Sequence, residues 1–176
     1  MELRIRNKWI SFRGSSVVKD QNEKDVLKVI GRFWSIRRRK YVCDLEGKPK
    51  FMVRNRFWNF FRHAAYVLDP EDHKKRYAKV QTKYWTLHDH LNVECDLGEL
   101  VVRGNILGFN YSITLNGKEI GHVARKISLR DSFVLTLDDD QDPYFFTARV
   151  IALDNITDSR RNTSGSGHVY DTLLDN

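Results

Sequence analysis

Lys8-Trp9-Ile10-Ser11-Phe12, Arg32-Phe33-Trp34-Ser35-Ile36, Arg56-Phe57-Trp58-Asn59-Phe60 and Lys83-Tyr84-Trp85-Thr86-Leu87 are four copies of one five-residue pattern. Each has a basic residue, two apolar or aromatic residues, then Ser, Thr or Asn, then an apolar residue. The copies hold all 4 tryptophans of the chain, and their basic residues lie 24, 24 and 27 positions apart. A near-constant interval of this size means that one supersecondary unit recurs. A weaker fifth copy, Lys126-Ile127-Ser128-Leu129, has lost its aromatics. Because the pattern repeats, its aromatics and cations read first as strand corners that bury a ring and expose a charge, and only second as a binding site.

Between the copies run short β-prone segments joined by turn signals. Lys40-Tyr41-Val42-Cys43 leads into Asp44-Leu45-Glu46-Gly47-Lys48, and Phe51-Met52-Val53-Arg54 follows, which reads as a hairpin. Asp20-Gln21-Asn22-Glu23 and Asp69-Pro70-Glu71-Asp72 mark similar turns, and Asn116-Gly117 is the sharpest, since a type I′ turn needs positive φ at both central residues. Alternation supports the strands. Val93, Cys95 and Leu97 are interleaved with Glu94 and Asp96, and Tyr111, Ile113 and Leu115 with Ser112 and Thr114, so one face is buried. Two strands per unit give roughly ten to twelve strands before residue 138, too many for an open twisted sheet, and closure into an antiparallel barrel is expected.

One segment breaks the β pattern. Asp142-Pro143 offers a helix N-cap followed by a proline suited to the first helical position. From Tyr144 to Ile156 the apolar residues surround the helix axis instead of forming a stripe, the mark of a helix buried on all sides. The fold expected is therefore mainly β: one closed barrel domain over residues 1–157 around a central hydrophobic C-terminal helix at about 143–156. Residues 158–176, rich in Ser, Gly, Asn and Arg, read as a flexible polar tail.

The chain has 176 residues, 41% of them hydrophobic, so a single core is the default. Thirty basic residues against 23 acidic ones give a formal charge of +7, which favours anionic partners. Cys43 and Cys95 stand in no metal or disulfide grouping, and no stretch is long and apolar enough for a membrane span. A cytoplasmic protein, peripheral at most at the membrane, is the expectation.

Arg37-Arg38-Arg39-Lys40 is the densest cationic run and the candidate anionic ligand site, with Lys74-Lys75-Arg76 a lesser one; the plain alternative is a solvated hairpin. His88-Asp89-His90 lacks further metal ligands at suitable spacing and reads as a polar loop. Asp138, Asp140 and Asp142 open like a calcium loop, but Pro143 and Arg149 stand where Gly and Glu are required. No nucleophile elbow, zinc-protease, phosphate-loop or dinucleotide motif occurs, so neither an enzyme nor a cofactor is expected.

Taken in order, the basic-aromatic corners, Gly104-Asn105-Ile106-Leu107-Gly108-Phe109-Asn110-Tyr111-Ser112-Ile113, Asn116-Gly117-Lys118-Glu119-Ile120, Arg125-Lys126-Ile127-Ser128 and Asp131-Ser132-Phe133-Val134-Leu135 resemble the LURP-one-related family, over about residues 1 to 157. The resemblance implies a tubby-like barrel of twelve strands around a central helix, shared with tubby C-terminal domains and phospholipid scramblases. It also implies a binding role. Tubby domains engage phosphoinositides through surface cations and scramblases act on anionic membranes, so anionic phospholipid or a phosphoinositide-like ligand is the first partner expected. A protein partner bound through loops or the tail is the second, and nucleic acid ranks below both because the aromatics are committed to corners.

Overall fold

Among the residues described by the computed structural model, 1–6, 15–31, 39–55, 62–83, 90–126 and 132–167, twelve strands pair antiparallel with their sequence neighbours, and the first closes on the last. They are β1 (Glu2–Arg6), β2 (Ser15–Asp20), β3 (Asp25–Gly31), β4 (Lys40–Cys43), β5 (Pro49–Asn55), β6 (Arg62–Leu68), β7 (Arg76–Lys83), β8 (His90–Cys95), β9 (Leu100–Asn105), β10 (Asn110–Leu115), β11 (Lys118–Lys126) and β12 (Ser132–Leu137). One helix, α1 (Pro143–Gly167), follows them. At the seam Leu3 faces Leu135 and Ile5 faces Phe133, so the closing pair is apolar on its inner side.

The inner wall is built by the alternation seen in the sequence. Leu3 and Ile5, Leu27 and Val29, Ala65 and Val67, Ala78 and Val80, Leu91 and Val93, Leu100 and Val102, and Phe133 with Leu135 all point into a single core cluster. Eight strands make a barrel that side chains alone can fill, whereas twelve leave room for a helix. That room is taken by α1, which is buried on every side from Phe145 to Thr157. The 13 residues of that stretch span about 20 Å at 1.5 Å each, close to the length of a six-residue strand. Phe146, Ile151 and Ile156 are fully enclosed, and Phe109 stacks on Phe133 with ring centroids 4.9 Å apart. Truncating an aromatic such as Phe146 costs about 3–5 kcal/mol in a core that cannot collapse around the gap.

The helix starts as expected. The Asp142 side chain accepts a bond from the Tyr144 amide at 2.9 Å, and the Phe146 amide donates to the Asp142 carbonyl at 3.2 Å. It runs on to Gly167, so residues 158–167, read above as the beginning of a flexible tail, continue the helix; residues 168–176 lie outside the described residues. A sequence rich in Ser, Gly and Asn has low intrinsic helicity, and here it extends a helix already nucleated and packed in the core.

The turns behave as their residues require. Asn116 and Gly117 have φ of 49° and 83°, the signs of a type I′ turn. Asp20, Asp44 and Asp69 each fold a carboxylate oxygen back onto backbone amides within their own turn. Asn116 also ties two hairpins together: its Oδ1 accepts from the Glu99 amide at 2.9 Å and its Nδ2 donates to the Leu97 carbonyl at 3.3 Å.

Candidate functional site

In a barrel whose strands run alternately up and down, every second connection lies at the same end. The turns at 21–24, 44–48, 69–75, 96–99 and 116–117 share one rim with the start of α1, here the near rim. The strand ends that bracket segments 7–14, 32–38, 56–61, 84–89 and 127–131 lie on the opposite, far rim. The 4 tryptophan corners fall on those segments and lie outside the described residues, apart from Lys83, which ends β7.

Of the cationic run, Arg37 and Arg38 lie outside the described residues. Arg39 is half-buried, and its Nε is enclosed without a hydrogen-bond partner among the described residues. Lys40 departs from the expectation that the run as a whole forms an outer anionic ligand site. It is 7% exposed and turns into the barrel, where its Nζ lies 3.6 Å from the Asp154 carboxylate of α1. The reason is strand parity: Val42 faces inward, so Lys40, two residues earlier, does so too.

The second cationic cluster is engaged locally. The Lys75 ammonium sits 4.9 Å over the Tyr77 ring, and Arg76 lies 3.9 Å from Glu94 and 5.9 Å over Tyr66. Of His88-Asp89-His90 only His90 is described; its Nε2 pairs with Asn92 Oδ1 at 2.8 Å, and Arg103 Nε donates to its Nδ1 at 3.3 Å. The acids before α1 do not converge. Asp138 pairs with Lys118 at 2.9 Å, Asp139 with the N-terminal ammonium at 2.6 Å, and Asp142 caps the helix. That ammonium holds the Asp139 carboxyl below the usual carboxylate range. Among the described residues no group of His, Cys, Asp and Glu could hold a metal ion.

The lumen carries polar chemistry that the sequence reading passed over. Toward the far rim Asp154, 1% exposed, faces Lys40, and burial together with the Asp154 charge pushes the Tyr111 phenol up. Thr157 Oγ1 donates to the Asp154 carbonyl at 2.9 Å. Toward the near rim Arg149 is 4% exposed, with its guanidinium 4.1 Å from the Phe145 ring centroid and 5.5 Å from that of Phe146. Its Nε, Nη1 and Nη2 have no hydrogen-bond partner among the described residues. Burial lowers its pKa, opposed by Cys95 and then by the Asp96 charge. A signal for these residues existed: in a helix apolar on all sides, Arg149 and Asp154 must meet something inside.

No helix among the described residues is long and apolar enough to cross a membrane. No curated protein matches the chain in sequence. A crystal structure of an Arabidopsis thaliana protein is similar in fold, with a TM-score of 0.61 and 19% identity over 88% of this chain and 90% of that one. The family model described as LURP-one-related matches residues 1–154. With seven-eighths of its length matched in sequence and the barrel and helix in place, the chain belongs to the LURP-one-related family.

Proposed function

We propose that this protein is a non-catalytic binding module that engages anionic lipid, or another phosphate-bearing ligand, through its basic outer surface, with Arg37, Arg38 and Arg39 as the first site. It would work in the cytoplasm, peripherally at a membrane. The observation that carries the reading is a filled lumen: α1 is buried from Phe145 to Thr157, so a large ligand has the outer wall and the rims to bind, and the chain's formal charge of +7 favours an anionic one. Membership of a family that resembles tubby domains and scramblases supports the same ligand class. Lys40 drops out of the site because it is enclosed beside Asp154. Each remaining arginine contributes about 1 kcal/mol against an anionic surface, so three contribute about 3 kcal/mol, roughly a hundredfold in affinity.

Vesicle sedimentation tests this. Binding is expected to vesicles containing phosphatidylserine, to fall with added salt, and to be absent from pure phosphatidylcholine vesicles. The variant carrying Arg37→Gln, Arg38→Gln and Arg39→Gln should lose most of it. Equal binding to both vesicle types, or no loss in the variant, rejects the site.

A further inference from the structure

We propose, given the anionic bilayer named above as ligand, that the barrel stands upright on it, far rim against the headgroups and near rim away, and that the far rim as a whole makes the contact. The two ends of the cylinder differ in charge. The near-rim turns and the residues between β12 and α1 hold 12 acidic residues against 4 lysines, on a chain whose formal charge is +7. Asp44, Asp69 and Asp142 each accept a backbone amide close by, bonds that favour the ionised carboxylate, so these acids stay charged.

The strand ends show where the compensating cations lie. In the last two positions at the far end of each strand there is no Asp or Glu, while Arg6, Arg54, Arg62, Lys83, Arg125 and Lys126 stand there, together with the inward-turned Lys40. The matching positions at the near ends are mixed, with Glu2, Asp20, Asp25, Glu94 and Glu119 against 4 cations. Arg125 and Lys126 are exposed, and Arg54 is half-buried. α1 enters at the near rim, meets Lys40 at Asp154 and runs on to Gly167, so it carries Arg160 and Arg161 out at the far end as well.

The arrangement around the rim selects a plane as the partner. In the closed order only β12 separates β1 from β11, whereas β5, β6 and β7 lie across the barrel from them. The cations therefore occupy opposite arcs, roughly 20–25 Å apart in a barrel of twelve strands spaced about 4.8 Å and tilted about 40°. A bilayer surface meets both arcs at once. The six-residue β10 and β12 span about 20 Å, some two screening lengths at physiological salt, so a charged surface responds to the rim it touches and little to the other. Each cation at an anionic membrane contributes about fivefold in affinity, and turning the barrel over replaces several of them by acids, a bias of about tenfold or more toward far rim down.

The test uses two full-length variants in a Cys95→Ser background: Asn110→Cys, at the exposed far end of β10, and Leu45→Cys, at a near-rim residue 42% exposed. Cys43, 1% exposed, stays unreactive. Alkylation by a polyethylene glycol maleimide is followed in solution, on phosphatidylserine vesicles, and on carboxylate-coated silica beads, which offer a flat anionic surface without lipid. Binding should slow alkylation of Asn110→Cys about tenfold or more on both surfaces and change that of Leu45→Cys by about twofold or less. A variant with Arg125→Gln and Lys126→Gln, and Arg37, Arg38 and Arg39 intact, should bind vesicles about 25-fold more weakly. Vesicle binding that slows both cysteines alike overturns the upright pose and leaves the lipid ligand standing. Undiminished binding by the Arg125 and Lys126 variant overturns the whole-rim contact and confines it to the three arginines. Protection of Asn110→Cys on beads without vesicle binding rejects the lipid ligand and keeps the far rim as the anion-seeking end. Protection by duplex DNA but by neither surface overturns the bilayer as occupant.

Discussion

Replacing Lys40 by Met separates a buried ion pair from a surface charge. Lys40 Nζ and the Asp154 carboxylate lie 3.6 Å apart, with side chains 9% and 1% exposed. Removing one partner leaves Asp154 charged, or forces it to take up a proton, inside the barrel; such losses cost about 3–5 kcal/mol. A surface lysine exchanged for Met changes stability by about 0.5 kcal/mol or less. Against a total of about 5–15 kcal/mol the first figure is a large share. With a urea slope near 2 kcal/mol/M, a loss of about 4 kcal/mol moves the unfolding midpoint down by about 2 M. Adding Asp154→Leu removes the stranded charge, and the double variant should recover to within about 1–2 kcal/mol of the parent. Urea unfolding of the parent, both single variants and the double variant completes the cycle. A midpoint shift under about 0.3 M for Lys40→Met refutes the inward placement, and a double variant as weak as the sum of the singles refutes the pairing.

Two further outcomes follow from local geometry. At Gly117, with φ of 83° and nothing within 4 Å of an added Cβ, Ala should cost only the left-handed backbone strain, about 1–2 kcal/mol; at Gly104, with φ of 119° and the Asn110 oxygen 2.8 Å from that Cβ, it should cost clearly more. Thermal unfolding compares the two, and equal losses would show that the close approach at Gly104 is relieved cheaply. The Asp72 and Glu71 amides and the Tyr77 hydroxyl hold the Asp69 carboxyl below the usual range. Its contribution is present above the unfolded carboxylate pKa of about 4 and is lost as pH falls through the lower folded value. The melting temperature of Asp69→Asn should therefore fall less steeply than the parent's below about pH 4; parallel curves would contradict it.

The strands, the Asn116-Gly117 turn and the Asp142 cap were legible because each rests on neighbours in sequence, through alternation, positive φ or a carboxylate two residues from the amide it accepts. The burial of α1 was legible because its apolar residues surround the axis. Lys40 joins the candidate anionic site when charge is weighed by run length, while the parity set by Val42 decides its direction. Partners across the barrel were not legible at all. Asp154 meets Lys40 and Arg149 nears Cys95 only once twelve strands close, and no spacing encodes that separation. The helix continues to Gly167 against the composition of its last residues, because a packed first half supplies the nucleus that they lack.

The element that fills the lumen is made only after all twelve strands of the wall around it. A nascent chain emerging in order offers the ribosome's surroundings a greasy ribbon of strands with nothing yet to wrap, since Phe145 to Ile156 and the edge partner of β1 are all still to come. Cylinder and plug must therefore mature together, and until α1 has been made the nascent chain is a client for whatever cellular machinery shields sticky, half-made sheets.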